Sequence, residues 1–378
     1  MCASASLEKT RTMQKKTVFL YILAQIIPTF LIGIFVFVFI LLLFRFLKLT
    51  EFILVYNVST YSVFELLTHL TVGFLPIILP MSLLFSILLT YSRLSADSEM
   101  VALKALGYSQ KSISAPAIFF SVIIFVVSLQ TVLYLGPVAR TRFDQLLSTI
   151  GSQKVMSSIS EGTFSENFFD LVLYTNEIDQ KKSLLKDLFV YDRRNPKSPI
   201  AIVAKEGRIK SDITDTNQLA EILLYDGYMY KLNDSSHTKI KFETFSLSIS
   251  SDLTSAVKER DLDTLTFTEL LEKLSHKKST ATLIAETEAE YHGRLAIAAS
   301  CLLFGFLGSA LGSSVNRRSN ASSGFIVSVI CIIAYWIVFV GMSNLGKKMI
   351  IDPKVALWIP NLIFLIFTLW VWRKQSQS

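Results

Sequence analysis

Six long apolar blocks constrain this chain more than any other feature of its sequence. They lie near residues 18–44, 66–91, 113–136, 295–313, 324–343 and 355–372. Each holds roughly 18 or more mostly apolar residues, enough for an α-helix to cross about 30 Å of hydrocarbon. The mean hydropathy of +0.48 agrees with this class. We therefore predict six transmembrane helices, the first of them retained, because it is too long for a signal-peptide core.

The net charge of +7 hides an uneven distribution. Residues 137–290 carry 20 Lys and Arg against 24 Asp and Glu, a net of −4, whereas the remainder carries a net of +11. The basic excess therefore accompanies the spans, which indicates membrane topology rather than nucleic-acid binding. Eleven Lys and Arg flank the spans on the side of the termini and five on the other side. The positive-inside rule predicts cytoplasmic termini and a long insert on the opposite side.

The insert between the third and fourth blocks has the pattern of a β domain. Its strand-like segments are spaced about ten residues apart, and turn signals such as Asp226-Gly227 separate them, which favours an antiparallel sandwich or jelly roll. After them, Thr266 and Glu269 fit a capping box that opens a helix, and a second helix from about Thr280 leads into span four. The predicted strands cover residues 168–178, 185–194, 199–210, 220–232 and 239–250.

These patterns predict a membrane α-helical bundle of six transmembrane helices with an inserted extracytoplasmic antiparallel β domain, β-jelly-roll-like in form. The expected limits are 1–136 for the first three helices, 137–262 for the β domain, 263–290 for a helical connector and 291–378 for the last three helices.

The sequence offers little for catalysis. No H-E-x-x-H spacing or G-x-S-x-G elbow occurs, and Cys2, Cys301 and Cys331 imply no disulfide framework. GMSNLGK (341–347) matches G-x-x-x-x-G-K, but Lys348 follows instead of Ser or Thr, and the segment follows a transmembrane helix rather than a strand. We expect no catalytic site, metal or cofactor in this chain, so nucleotide chemistry would come from a partner.

The loop YSRLSADSEMVALKALGYS (91–109) contains a short amphipathic helix, at about residues 95–108. Met100, Leu103 and Leu106 recur at helical spacing, and Gly107 is placed to end the helix. Asp97 and Glu99 either cap the helix and complement its N-terminal dipole or face basic residues of a partner that binds the apolar stripe. The spacing alone leaves both interpretations open.

Three basic residues and two glycines are further candidates. Arg45 and Lys48 follow span one on one helical face, and Arg294 lies at the outer entry of span four. They bind an anionic lipid headgroup or act as snorkelling anchors. Gly308 and Gly312 have small-xxx-small spacing in span four, which fits close helix packing within one subunit or between subunits.

Four segments resemble the LptF/LptG permeases, the transmembrane subunits of the lipopolysaccharide export transporter. The loop SADSEMVALKALGYS is similar to the coupling-helix motif of that family. EYHGRLAIAASCLLFGFLGSALG (290–312), LLYDGYMY (223–230) and LWIPNLIFLIF (357–367) are similar to further family segments. The resemblance covers nearly the whole chain, including the order of three spans, β domain and three spans.

The resemblance implies a non-catalytic permease subunit of an ATP-driven (ABC) transporter in the cell inner membrane, with cytoplasmic termini and a periplasmic β domain. Two paralogous permeases would pair, each docking its coupling helix into one copy of a cytoplasmic LptB-like ATPase dimer. The β domains would pass lipopolysaccharide to LptC/LptA-like bridge proteins. The coupling residues would be Asp97, Glu99, Met100, Leu103, Leu106 and Gly107, with Arg45, Lys48 and Arg294 as candidates for the lipid headgroup.

Two rival functions come from other classes. A membrane-anchored receptor or scaffold with a ligand-binding β domain would not need a cytoplasmic helix suited to an ATPase. An intramembrane enzyme should carry paired acids or histidines within its spans, where Asp and Glu are nearly absent.

A cysteine at position 226 tests the predicted topology. In a background without the three native cysteines, a membrane-impermeant thiol reagent should label Asp226→Cys in spheroplasts. Lys104→Cys, in the loop between spans two and three, should be labelled only after the membrane is broken. The reverse pattern would overturn the topology, because it would place the insert in the cytoplasm.

Overall fold

The computed structural model describes the chain outside residues 1, 57–58, 159–160, 169–170, 180–183, 194–199, 211–219, 234–235, 250–261, 276–280, 315–321 and 377–378. Side chains are also left undescribed at the ends of several elements, including residues 2–15, 45–56 and 148–158. The chain divides into a helical unit (Met1–Phe44, Thr71–Ala139 and Leu262–Ser378) and a β unit (Arg45–Leu70 and Arg140–Asp261). The domain limits expected from the sequence stay a prediction.

Long helices account for every apolar block of the sequence. In the described residues, six helical segments are long and apolar enough to cross a membrane: Lys16–Phe44, Tyr61–Ala96, Gln110–Leu147, Thr282–Ser313, Gly324–Lys347 and Pro353–Lys374. The prediction of six membrane-spanning helices is confirmed. The helices are α1 (Cys2–Tyr56), α2 (Thr60–Ala96), α3 (Glu99–Ala105), α4 (Gln110–Gln130), α5 (Gly136–Ser158), α6 (Phe267–Ser275), α7 (Ala281–Ser314), α8 (Ser322–Lys347), α9 (Pro353–Ala356) and α10 (Ile359–Ser376).

Two short helical segments were not predicted. A π-helical turn, Thr131–Leu135, joins α4 to α5 within span three, and a 3₁₀ turn, Leu262–Thr264, precedes α6. At the start of α6, the Thr266 N–H donates to Glu269 Oε2 at 2.8 Å, which is the backward bond expected of a capping box. Helix α7 begins at Ala281, close to the predicted start of the run into span four.

The β unit contains one six-stranded antiparallel sheet in the order β1-β2-β3-β4-β5-β6. The inserted antiparallel β domain is therefore confirmed, with one more strand, β1, than the sequence predicted. The described strands pair with their chain neighbours, which is a meander, and no jelly-roll crossover occurs among their pairings. The strands are β1 (Phe164–Phe168), β2 (Leu171–Asp179), β3 (Leu184–Asp192), β4 (Ile200–Lys210), β5 (Ala220–Asn233) and β6 (Ser236–Ile249).

A row of polar residues crosses the middle of the sheet. At this row, the regular alternation of buried and exposed side chains along the strand is interrupted. Asp187 and Asp226 in this row have φ angles of +50° and +52°, a left-handed conformation that Asp tolerates better than most residues. On β3, the buried side chains on either side of this row are Leu185 and Leu188, which are three positions apart instead of the usual two. Lys205 Nζ lies 3.0 Å from Asp226 Oδ2, and this hydrogen bond lowers the pKa of the exposed Asp226 carboxyl.

Helices α2 and α7 approach each other closely within the chain. A Cβ on Gly312 would lie 2.5 Å from Tyr91 Cβ and 3.0 Å from the carbonyl oxygen of Leu88. A Cβ on Gly308 would lie 2.9 Å from Ile87 Cγ2. Both glycines therefore allow α2 and α7 to pack closely inside one subunit.

Replacing Gly312 with Ala should destabilise the helical unit, because the added methyl meets main-chain atoms of α2 that cannot move independently. We expect a loss of roughly 1–3 kcal/mol, measured as a lower midpoint of thermal unfolding in detergent. Gly341→Ala is the matched control, since a Cβ at that helical position has no neighbour within 4 Å. Equal midpoints for the two variants would contradict the packing described here.

Candidate functional site

Helix α3 lies in the chain between the end of span two and the start of span three. It follows Ser98, which has a φ angle of +61° and whose side chain makes no capping hydrogen bond. The Asp97 carboxylate instead lies 3.7 Å from Arg93 Nε on the last turn of α2, in a pair whose side chains are 71% (Arg93) and 56% (Asp97) exposed. Exposed pairs of this kind contribute at most about 1 kcal/mol.

The C-terminal end of α3 is a Schellman motif. Gly107, with a φ angle of +84°, takes the left-handed position that favours glycine. The Tyr108 N–H donates to the Leu103 carbonyl at 3.1 Å, and the Gly107 N–H donates to the Lys104 carbonyl at 2.9 Å. The helix therefore ends where the sequence predicted.

The apolar residues of α3 divide between two faces. Met100 is 3% exposed and shares a buried cluster with Ile22 of α1, Leu94 of α2 and Ile113 of α4. Leu103 packs partly buried against the same cluster. Two of the three residues expected to anchor a partner are thus committed to the chain's own spans, because a short helix on a bundle must bury one face.

The opposite face of α3 is open. Leu106 is 74% exposed and Val101 is 44% exposed, while Ala102 and Ala105 beside them are also exposed. These four residues form what we call the outer face of α3. From the sequence, Leu106 was expected to contact a partner but was placed on one stripe with Met100 and Leu103. Val101 was missed because it does not share that spacing.

The acidic residue at the start of α3 has a partner on span one. The Tyr21 hydroxyl donates a hydrogen bond of 2.8 Å to Glu99 Oε2. The two residues are 78 positions apart in the chain, so no local pattern predicts their contact.

Hydrogen bonds also hold the neighbouring helix ends around α3. The buried Tyr91 hydroxyl of α2 donates to the Ile113 carbonyl of α4 at 2.7 Å. Gln110 Nε2, at the start of α4, donates to Ser313 Oγ near the end of α7 at 3.0 Å. These two hydrogen bonds therefore join spans two, three and four near α3.

Arg294 is not an open lipid-binding cation, and the expectation for this residue is corrected. Its side chain is 6% exposed and pairs with Glu290 Oε1 at 2.8 Å. Its guanidinium also donates to the carbonyls of Leu262 (2.9 Å), Asp263 (3.1 Å) and Leu265 (2.7 Å). These bonds fasten the 3₁₀ turn before α6 to α7, so the charge satisfies main-chain acceptors inside the protein.

The side chains of Arg45 and Lys48 lie outside the described residues. Their backbone belongs to α1. In the described part of the chain, no group of three or more His, Cys, Asp or Glu side chains is arranged to hold a metal ion.

Comparison with known proteins gives one consistent family. The profile of the family described as lipopolysaccharide export system permease LptF/LptG matches residues 20–374. The chain is 23% identical over 306 residues to the lipopolysaccharide export system permease protein LptF of Escherichia coli K12, covering 78% of each protein. LptF of Escherichia coli O157:H7 and of Shigella flexneri match with the same identity and coverage. The chain belongs to the LptF/LptG family of lipopolysaccharide export permeases.

Proposed function

We propose that this permease is driven by a separate cytoplasmic ATPase that binds the outer face of α3. As a family member, it is a multi-pass inner-membrane protein that takes part in lipopolysaccharide export and has no catalytic chemistry of its own. The observation that carries the proposal is the division of α3 into a face buried on the spans and an exposed apolar face. An exposed apolar helix face beside an acid is a form that partner grooves recognise.

Glu99 supplies the charge for this contact. One carboxylate oxygen accepts the Tyr21 hydroxyl, and a carboxylate can accept further hydrogen bonds at its other oxygen. A basic residue of the ATPase would pair with that oxygen. Asp97, in contrast, pairs with Arg93, so we assign it a supporting role beside the contact.

The receptor or scaffold alternative is not favoured by the family assignment. We propose that α3 and both termini are cytoplasmic and that the β unit is periplasmic, which the charge count beside the spans supports. We further propose pairing with a paralogous permease and transfer of lipopolysaccharide from the β unit to LptC/LptA-like bridge proteins. Among the described strands, β1 and β6 are the outer strands of the sheet, and an outer strand can pair with a strand of another protein.

Arg45 and Lys48 remain our candidates for the phosphorylated headgroup. Their spacing of three residues in the sequence predicts that they share one helical face. We do not include Arg294 among them, because its guanidinium bonds to Glu290 and to the carbonyl of Leu265 inside the protein.

Glu99→Lys should reduce the ATPase that co-purifies from membranes by at least roughly tenfold, because it places like charges together at the contact. Glu243→Lys is the matched control: it makes the same charge change at an exposed position of strand β6 and should leave the ATPase yield unchanged. An unchanged yield with Glu99→Lys, in protein that is still inserted, would count against docking through α3.

The double variant Arg45→Gln, Lys48→Gln should lower photocrosslinking to lipopolysaccharide by roughly tenfold, as expected for losing charge-assisted bonds to phosphate. Lys347→Gln with Lys348→Gln, on the same predicted side of the membrane, is the control and should crosslink normally. Full labelling of the first variant would show that Arg45 and Lys48 are snorkelling anchors.

A further inference from the structure

Two adjacent residues of span one meet two adjacent residues of α3. Tyr21 donates its hydrogen bond of 2.8 Å to Glu99, and Ile22 shares the buried cluster of Met100. The contact thus has a polar part and an apolar part side by side. The Tyr21 side chain is 46% exposed, so its hydroxyl is not required to fill space in the core.

Span one buries a smaller share of its residues against the rest of the chain than spans two, three and four do. In its most apolar stretch 17% of the residues are buried, compared with 61% in span two, 33% in span three and 67% in span four. Helix α3 is joined to spans two and three by short turns of the main chain, Asp97–Ser98 and Leu106–Ser109. At this end of the spans, a movement of α3 therefore reaches spans two and three through the backbone but reaches span one through side chains alone.

We propose that Tyr21 is a positioning residue that ties span one to α3, so that span one moves when the ATPase moves α3. This inference rests on the proposed docking of the ATPase at α3. The link is suited to the task because a hydroxyl that donates to a carboxylate forms a charge-assisted bond, which is stronger than a bond between neutral groups. Phenylalanine keeps the ring but has no hydroxyl, so Tyr21→Phe removes the bond to Glu99 together with the side-chain hydrogen bond between Tyr21 and Gln25 within α1.

The test uses the complete complex of permeases and ATPase in proteoliposomes, and it measures lipopolysaccharide extracted per ATP hydrolysed. Tyr21→Phe should lower this ratio by about threefold, an effect of the size expected for one lost hydrogen bond. ATPase binding and the ATP concentration for half-maximal hydrolysis should stay unchanged. Tyr61→Phe is the matched control, because Tyr61 is 76% exposed on α2 and its loss of a hydroxyl should leave the ratio unchanged.

A second measurement asks whether Tyr21 acts through Glu99. In a Glu99→Gln background, which weakens the acceptor, adding Tyr21→Phe should lower the ratio by less than it does in the wild type. A wild-type ratio for Tyr21→Phe, or an equally large loss in the Glu99→Gln background, would overturn the inference. Failure of the proposed docking has a separate sign, which is full binding of the ATPase by the Glu99→Lys variant. The two proposals can therefore fail independently of each other.

Discussion

Tyr91 is the residue on which the arrangement of the helical unit depends. It is fully buried, its Cβ lies where α2 meets Gly312 of α7, and its hydroxyl donates to the Ile113 carbonyl of α4. Within hydrocarbon, helices are held together by close packing and by internal hydrogen bonds, and Tyr91 supplies both. Because Tyr91 also belongs to the cluster that buries Met100, the same side chain that joins three spans supports α3.

This arrangement fixes one face of α3 against the bundle. The helix is short, but its ends are defined by Ser98 and Gly107, and one of its faces is fixed on the spans. A helix of seven residues is not stable by itself in water, so its structure depends on this packing. In our proposal, a push on Leu106 and Val101 is therefore transmitted to the spans rather than absorbed by a change in the loop.

Local patterns were enough to predict most elements of this fold. Apolar length determines the spans, alternation and turn residues determine strands β2 to β6, and Gly107 ends α3 because a left-handed position needs glycine. Strand β1 was missed because FSENF has little alternation of its own and pairs with β2 through an irregular register. The π turn in span three has no sequence signal that separates it from the α-helix around it.

The contacts of the site depended on the tertiary structure. Helical spacing placed Met100, Leu103 and Leu106 on one stripe, but it could not say which side of α3 faces the spans. Charge and position suggested a lipid contact for Arg294, although its true partners are carbonyls about 30 residues earlier in the chain. Tyr21 was missed because its importance comes from a residue on another helix.

The central claim is that the outer face of α3 binds the ATPase, and site-specific photocrosslinking in membranes tests it most directly. A photoreactive amino acid in place of Leu106, which is 74% exposed, should form an adduct with the ATPase subunit. The same amino acid in place of Leu135, which is 47% exposed in span three, should not. Absence of the ATPase adduct at position 106, in a complex that otherwise purifies intact, would contradict the account.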